Sequence, residues 1–218
     1  MIIAIDGPAG AGKSTVAKLL ASKLNILYLD TGAMYRAVGL KALKKSVNIA
    51  DAQAVEEMLK ETVVDVKLDG GVQRVFLDGE DVSTPIREHA VSKAASDISA
   101  VPCVRYKMVE LQRQIASKTD TILDGRDIGT FVLPNAEYKF FVTASADERA
   151  TRRYKELTAK GVECSYEKIR DDIIARDYND SHRALAPLKK ADDAIEIDTT
   201  HLNIDQVVET IVSHVGKK

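Results

Sequence analysis

The sequence has 218 residues, 45% of them hydrophobic, enough to bury the core of one domain with inserts or of one domain with a small appendage. Its 31 Lys and Arg residues nearly balance 33 Asp and Glu residues, so the net charge of -2 argues against a nucleic-acid scaffold or a membrane-surface binder. The two cysteines, Cys103 and Cys164, lack a metal-like spacing, and the first apolar run stops at Asp6, too early for a signal peptide or a membrane span. We therefore expect a protein of the reducing cytoplasm.

A glycine-rich stretch follows that first apolar run and precedes a segment with helical periodicity. It matches the spacing G-x-x-x-x-G-K-[ST], in which glycines let backbone N–H groups curl around a phosphate at a helix N-terminus. We expect Lys13 to reach the outer phosphates of a nucleoside triphosphate and Ser14 to bind Mg²⁺, with Thr15 in its place if the register shifts by one residue. The predicted triphosphate-binding residues are Gly7, Pro8, Ala9, Gly10, Ala11, Gly12, Lys13, Ser14 and Thr15.

A second buried strand is predicted over residues 26–29, and Asp30 or Thr31 is expected to cap the helix that follows it. Tyr35 and Arg36 then lie near the start of that helix, close to the carboxyl end of a strand, where ligands bind in parallel sheets. The alternative is that both side chains belong to a solvated helix face.

The pattern changes after a short polar helix over residues 51–61. Alternating apolar residues on either side of Gly70-Gly71 predict an antiparallel hairpin, which is too small to be an independent domain. Residues 88–118 are predicted to be helical, with Pro102 in the first turn of a second helix. Ser96 and Arg105 stand off the apolar stripes of these helices, so each faces either solvent or a ligand.

Two further strands, over 121–124 and 138–143, end in polar loops, and the first of these loops is Gly125-Arg126-Asp127. Two helices follow, capped by Ser145 and Ser165. We interpret the basic residues on them as a lid that neutralises phosphoryl charge, although ordinary surface ion pairs would have the same pattern. On the first helix, Arg149, Arg152 and Arg153 fall at i, i+3 and i+4 and are expected to share one face. The second helix leads to Arg176, Asp180 and Arg183, spaced i, i+4 and i+7 if the helix persists.

Together with a last strand over 194–198, the strands at 2–5, 26–29, 121–124 and 139–143 predict a five-stranded sheet, parallel because helices intervene. The fold class is therefore α/β: a P-loop three-layer α/β/α architecture with a helical lid and a small antiparallel β insert. The helix over 204–215 closes the chain with an apolar stripe.

The phosphate loop leaves three kinds of protein open. A small-molecule kinase needs a cationic, water-excluding lid, which the paired arginine helices would supply. A switch GTPase needs a guanine-reading N-K-x-D after a strand, whereas the nearest string, residues 117–120, lacks the Asn and precedes a strand. A binding or motor ATPase module is little supported by the near-neutral charge and short length. The kinase interpretation is favoured.

Beyond the phosphate loop, three further strings resemble the bacterial cytidylate kinase family: Asp30 to Arg36, Asp124 to Thr130, and Arg183 to Leu188. The resemblance extends over the whole chain and implies transfer of the γ-phosphoryl group of ATP to CMP or dCMP, with Mg²⁺, in nucleotide salvage and pyrimidine metabolism. A kinase of another acceptor, UMP or a non-nucleotide, is the alternative. By this resemblance, residues 1–218 form a single P-loop kinase domain. Its acceptor-binding region spans 32–118 and includes a β insert over about 63–84, and its lid spans 146–185.

The resemblance also implies roles for individual residues. Arg126 and Asp127 would read the cytosine ring, Asp180 and Arg183 would hold the sugar hydroxyls, and Arg36 and Arg105 suit the acceptor phosphate. Lys13 and four lid arginines, Arg149, Arg152, Arg153 and Arg176, would carry the catalysis. A monomer acting on small nucleotides, with no nucleic-acid or membrane partner, is expected. The residues implied to surround CMP are Thr31, Tyr35, Arg36, Ser96, Arg105, Arg126, Asp127, Asp180 and Arg183.

Overall fold

The computed structural model describes residues 1–69 and 72–216. The chain divides into two compact units, a first unit of residues 1–28 and 120–218 and a second unit of residues 29–119. The strands are β1 (Ile2–Asp6), β2 (Leu27–Asp30), β3 (Val64–Asp69), β4 (Val72–Leu77), β5 (Glu80–Asp81), β6 (Thr121–Gly125), β7 (Tyr138–Thr143) and β8 (Ile195–Asp198). The α-helices are α1 (Lys13–Leu24), α2 (Thr31–Lys44), α3 (Ala52–Lys60), α4 (His89–Ile98), α5 (Pro102–Ala116), α6 (Ala146–Ala159), α7 (Tyr166–His182) and α8 (Ile204–Val215).

The main sheet has five parallel strands in the order β2-β6-β1-β7-β8, which confirms the sheet predicted from the sequence. The central strand, β1, is apolar and buried on both faces: Ile3 and Ile5 on one face and Ala4 on the other are fully buried. Its last residue, Asp6, is in register with Gly125 of β6. The loops after β1 and β6 therefore leave the sheet side by side, at the edge where parallel α/β sheets bind ligands.

The first unit has one hydrophobic core, in which α1 and α8 pack against the sheet. Val16 and Leu20 of α1 belong to the same buried cluster as Val208 and Ile211 of α8. Ile204, predicted to lie on the α8 stripe, is 46% exposed because it is the first residue of that helix. Within the part of the chain that the structure describes, no helix is long and apolar enough to cross a membrane.

The second unit contains α2 to α5 and the predicted antiparallel insert. In the insert, β3 pairs with β4, and Val75 and Leu77 are buried. The predicted Gly70-Gly71 turn lies outside the described residues. The third strand of the insert, β5, was not predicted; it follows a turn in which Asp78 and Gly79 have φ values of 51° and 88°. An Asp-Gly pair is a strong signal for a two-residue turn with positive φ at both positions, so the strand could have been found.

Candidate active site

The phosphate loop connects β1 to α1 and approaches the sheet too closely for any side chain at its first position. A Cβ atom on Gly7, whose φ is +144°, would lie 1.9 Å from the carbonyl oxygen of Val142. At the other end of the loop, Gly12 precedes α1 and no side chain caps the helix. The helix N-terminus and its backbone N–H groups are thus available to an anion.

Lys13 lies buried at the start of α1, with only 5% of its surface exposed. Its Nζ donates a hydrogen bond to the carbonyl oxygen of Pro8, 2.7 Å away, within the same loop. Burial lowers the pKa of Lys13 well below its usual range, and the nearby Arg126 guanidinium lowers it further, whereas Asp124 and Asp6 act in the opposite sense. A bound phosphate would supply the negative charge that stabilises the ammonium form.

Ser14 lies beside an acidic side chain that ends β6. Its hydroxyl donates to Asp124, Oγ to Oδ2, across 2.6 Å, and the hydroxyl of Tyr28 donates to the other carboxylate oxygen at 3.0 Å. Thr15 lies exposed on α1. Among the described residues, no group of three or more acidic, His or Cys side chains is arranged to hold a metal ion by itself. Mg²⁺, however, often keeps several waters and needs only one or two carboxylates beside the phosphates. The hydroxyl and carboxylate of Ser14 and Asp124 fit that requirement.

Four of the predicted acceptor-binding residues form two ion pairs between the loop after β6 and the end of α7. Arg126 Nε donates to Asp180 Oδ2 at 2.8 Å, and Arg183 Nη2 donates to Asp127 Oδ1 at 2.9 Å. Burial opposes the charge on Arg126, but Asp180 outweighs it and raises the pKa of that guanidinium. Burial likewise opposes the charge on Asp180, but Arg126 lowers the pKa of that carboxyl. Arg183 reaches its partner from just beyond α7, which ends at His182, so the predicted helical spacing does not extend to it.

Arg149, one of the four predicted lid arginines, contacts the phosphate loop directly. The residue is 4% exposed, and its guanidinium donates to the carbonyl oxygens of Ala9 at 3.0 Å and Ala144 at 2.9 Å. It also forms a bidentate pair with Asp177 of α7, with N to O distances of 3.1 and 2.6 Å. Arg149 therefore ties the phosphate loop to both lid helices.

The other three lid arginines differ in their surroundings. Arg176 is half-buried and close enough to Lys13 to lower the pKa of that lysine. Arg152 donates to the backbone carbonyl of Thr199 at 2.6 Å, and Arg153 pairs with Glu156 on the exposed side of α6. Arg149, Arg152 and Arg153, predicted to share one face of α6, are thus buried, half-buried and exposed respectively. Residues three and four positions apart on a helix cover a broad arc of its surface rather than a single line.

In the second unit, Asp30 organises the start of α2. Its carboxylate accepts from the backbone N–H of Ala33 at 2.9 Å, which caps the helix, and pairs with Arg36 at 2.9 Å and with Arg87 at 3.2 Å. Gln73 of the insert accepts from the backbone N–H of Asp30 at 2.6 Å. The insert is therefore attached directly to the residue that caps α2 and orients Arg36.

The remaining predicted residues of the second unit are buried or half-buried. Arg105 is 1% exposed, donates from Nε to the carbonyl oxygen of Ser99 at 3.0 Å and has its guanidinium 5.2 Å from the centre of the Tyr35 ring. Thr31, the first residue of α2, is 3% exposed, and Ser96 of α4 is half-buried. Arg105 is thus held by fixed contacts rather than mobile in solvent.

A family model described as cytidylate kinase matches residues 3–217. The chain belongs to the cytidylate kinase family. A cytidylate kinase of Caldicellulosiruptor bescii is 53% identical over 210 residues, which cover 96% of this chain and 93% of the relative. A cytidylate kinase of Lactobacillus johnsonii is 50% identical over 218 residues, which cover 100% of this chain and 95% of the relative.

Solved structures share the fold of this cytidylate kinase family member at low sequence identity. A gluconokinase from Sinorhizobium meliloti has a TM-score of 0.51 with 10% identity and covers 99% of this chain and 91% of its own. At that identity the likeness shows the fold alone.

Sequence reasoning missed three acidic residues that touch the predicted cytidylate kinase machinery. Asp124 accepts from Ser14, Asp177 pairs with Arg149, and Asp6 accepts from two backbone N–H groups of the loop after β6. Asp6 and Asp124 could have been noticed, since each is the acidic residue after a run of apolar strand residues. Nothing in the local pattern around Asp177 separates it from the other acidic residues of α7.

Proposed function

We propose that this protein transfers the γ-phosphoryl group of ATP to CMP or dCMP and releases ADP with CDP or dCDP. The observation that carries the proposal is the match to cytidylate kinases along nearly the whole chain, at 53% and 50% identity. The phosphate loop with its buried lysine supports the donor half of the reaction, and the two ion pairs at the loop after β6 support the acceptor half.

At the donor end, the backbone N–H groups of the loop and Lys13 bind the triphosphate. Ser14 and Asp124 would hold Mg²⁺, which would supply positive charge beside the outer phosphates. Because Lys13 is buried, its field acts in a medium of low dielectric constant, where a fixed cation stabilises the transferring group more than it would in water. Arg176 and Arg149 are the lid arginines with the strongest structural support for this role, through the field at Lys13 and the contact to Ala9 respectively.

At the base end, Arg126 and Asp127 recognise cytosine. Cytosine presents an amino donor at N4 beside the acceptors N3 and O2, so a carboxylate next to a guanidinium complements its edge. Uracil would meet the same carboxylate with O4, an acceptor, and would therefore set two acceptors against each other in a buried site. Asp180 and Arg183, which hold the two base-reading groups in this structure, bind the sugar hydroxyls.

At the acceptor phosphate, Arg36 and Arg105 supply the cations, with Thr31, Tyr35 and Ser96 as further contacts. The fixed orientation of Arg105, held by Ser99 and the Tyr35 ring, supports a role in positioning. No general base is assigned, because the attacking group is already an ionised phosphate, and positioning with charge stabilisation supplies most of the catalysis.

The test is ATP consumption over a panel of acceptors: CMP, dCMP, UMP, AMP, GMP, shikimate and gluconate. We expect CMP and dCMP to support turnover well above the others, and we expect Lys13→Ala to abolish it while the circular dichroism spectrum stays unchanged. Asp127→Asn should lower the preference for CMP over UMP by tenfold or more, roughly the effect of unpairing a buried polar group in a specific site. Full turnover with shikimate or gluconate but not with CMP would refute the proposal.

A cytoplasmic monomer that acts in pyrimidine salvage without nucleic-acid or membrane partners remains a prediction from the sequence. Size-exclusion chromatography with light scattering at micromolar concentration tests the oligomeric part of it.

A further inference from the structure

The strongest feature that the proposed chemistry does not use is a buried carboxylate at the end of the central strand. Asp6 is 4% exposed, and each of its two oxygens accepts a backbone hydrogen bond, Oδ1 from the N–H of Ile128 and Oδ2 from that of Gly129, both at 2.7 Å. The donors are 122 and 123 positions away along the chain. They are the two residues directly after Asp127.

The backbone beyond Asp127 has little other support from regular structure. Residues Ile128–Val132 form a short π-helical turn, and the carbonyl oxygen of Asp127 accepts from the N–H groups of Phe131 and Val132 at 2.9 and 3.0 Å. The N–H groups at the start of such a turn have no partner within it. Asp6 supplies that partner, so it acts as a cap delivered from another strand.

The loop after β6 also packs tightly at Gly129, against the side chains of Lys139 and Asp6. A Cβ atom on Gly129 would lie 3.1 Å from Cδ of Lys139 and 3.4 Å from Oδ2 of Asp6. Lys139 cannot readily move aside, because its Nζ donates to the carbonyl oxygen of Pro134 and to both oxygens of Asp193. Asp6 and Lys139 therefore leave no room for a side chain at Gly129 unless the loop or one of these neighbours shifts by a few tenths of an ångström.

We propose that Asp6 is a positioning residue for acceptor recognition: it clamps the backbone after Asp127 and so holds the Asp127 carboxylate and the Arg126 guanidinium at the geometry that fits cytosine. The inference rests on the proposed function of those two residues and adds a residue that touches neither nucleotide. A displacement of the loop by less than an ångström would spoil paired hydrogen bonds to a base edge. None of the residues assigned to ATP lies in this loop, so KM for ATP should be affected less than KM for CMP.

The experiment measures KM for CMP, KM for ATP, kcat and the ratio of kcat/KM for CMP over UMP in Asp6→Asn and Asp6→Ala. An Asn side chain can accept only one of the two N–H groups and turns an amide donor toward the other. We expect Asp6→Asn to raise KM for CMP about tenfold and to lower the CMP to UMP ratio about tenfold, as for the loss of one hydrogen bond to a charged acceptor. KM for ATP should change less than about threefold. Asp6→Ala removes both acceptors, so it should change KM for CMP and the CMP to UMP ratio more than Asp6→Asn does.

Two further variants keep the test decisive if Asp6→Ala does not fold. Gly129→Ala leaves the carboxylate intact but overfills the space beside Lys139, and it should shift KM for CMP and the CMP to UMP ratio in the same direction by a smaller factor. Asp205→Asn makes the same chemical change at an exposed residue of α8 and should alter none of the four quantities.

Asp127→Asn, measured in parallel, separates failure of this inference from failure of the proposed function. If Asp127→Asn lowers the CMP to UMP ratio but folded Asp6→Asn and Gly129→Ala do not, Asp6 is not a positioning residue. If Asp6→Asn raises KM for ATP as much as that for CMP, it acts through the phosphate loop and Lys13 instead, and the inference is wrong. If Asp127→Asn leaves the ratio unchanged, the base assignment fails and the inference fails with it.

Discussion

The contacts of Arg149 make replacement by lysine a sharp test of how the phosphate loop is held. Arg149→Lys keeps the positive charge but replaces a planar fork of donors by a single ammonium group. The native guanidinium serves three separate partners, the carbonyl oxygens of Ala9 and Ala144 and the carboxylate of Asp177. Lysine can reach the carboxylate or a carbonyl, but it cannot satisfy all of them from one atom.

The expected cost follows from the bonds that are lost. A hydrogen bond from a charged donor contributes about 1.5–3 kcal/mol, and leaving a buried acceptor without a donor costs a similar amount. Loss of two of the four bonds therefore lowers the free energy of unfolding by about 3 kcal/mol or more. For a chain of this size that corresponds to a fall in Tm of roughly 10 °C. KM for ATP should rise as well, because Ala9 belongs to the phosphate loop.

The assay is thermal and urea-induced unfolding combined with initial rates at varied ATP. Arg170→Lys is the matched control, since Arg170 pairs with Asp147 on a surface where its side chain is 42% exposed, and it should change stability by less than about 1 kcal/mol. A large loss of kcat in Arg149→Lys with unchanged Tm and unchanged KM for ATP would refute the reasoning. In that event Arg149 acts on the transferring phosphoryl group alone.

Three further predictions follow from the buried and paired groups. Burial raises the pKa of Asp6 from 3.8 to about 6, so the folded protein binds more protons than the unfolded chain between those values. The contribution of Asp6 to the free energy of unfolding is complete below pH 4 and falls by about 3 kcal/mol as the pH rises through 6. Urea unfolding at a series of pH values should show this fall in the native protein but not in Asp6→Asn. The same pH dependence of unfolding in both proteins would contradict the prediction. Asp124→Asn should weaken Mg²⁺ binding, so the Mg²⁺ concentration that gives half-maximal turnover at fixed ATP should rise by about 10–100-fold. An unchanged Mg²⁺ titration would remove Asp124 from the proposed metal site. Gln73→Ala removes the side-chain acceptor of the Asp30 N–H and should lower the free energy of unfolding by about 1 kcal/mol. It should also raise KM for CMP but not KM for ATP. Equal changes in both KM values would argue against the insert orienting the start of α2.

Much of the architecture was predictable because it is written in short stretches of sequence. The apolar runs that became β1, β6 and β7 and the glycine spacing of the phosphate loop are local patterns with periods or spacings of a few residues. Caps are local too: Asp30, Ser145 and Ser165 each accept from a backbone N–H three residues later, as their positions before helical segments indicated. These features depend on backbone geometry alone, which each segment largely determines for itself.

The contacts that define the candidate site join residues far apart in the chain, and only the tertiary structure determined them. Arg126 meets Asp180 over 54 positions, Asp6 meets Ile128 over 122, and Arg149 meets Ala9 over 140. A charged residue has many possible partners of opposite charge along the sequence. Beyond a single helix or strand, the number of residues that separates two charges does not indicate whether they pair. The sequence by itself therefore determined the family, the sheet and the residue types of the site. The fold decided which arginine is buried against the phosphate loop, which arginine is exposed and which carboxylate accepts from the loop after β6. These outcomes depend on how strands and helices pack together and not on any single segment.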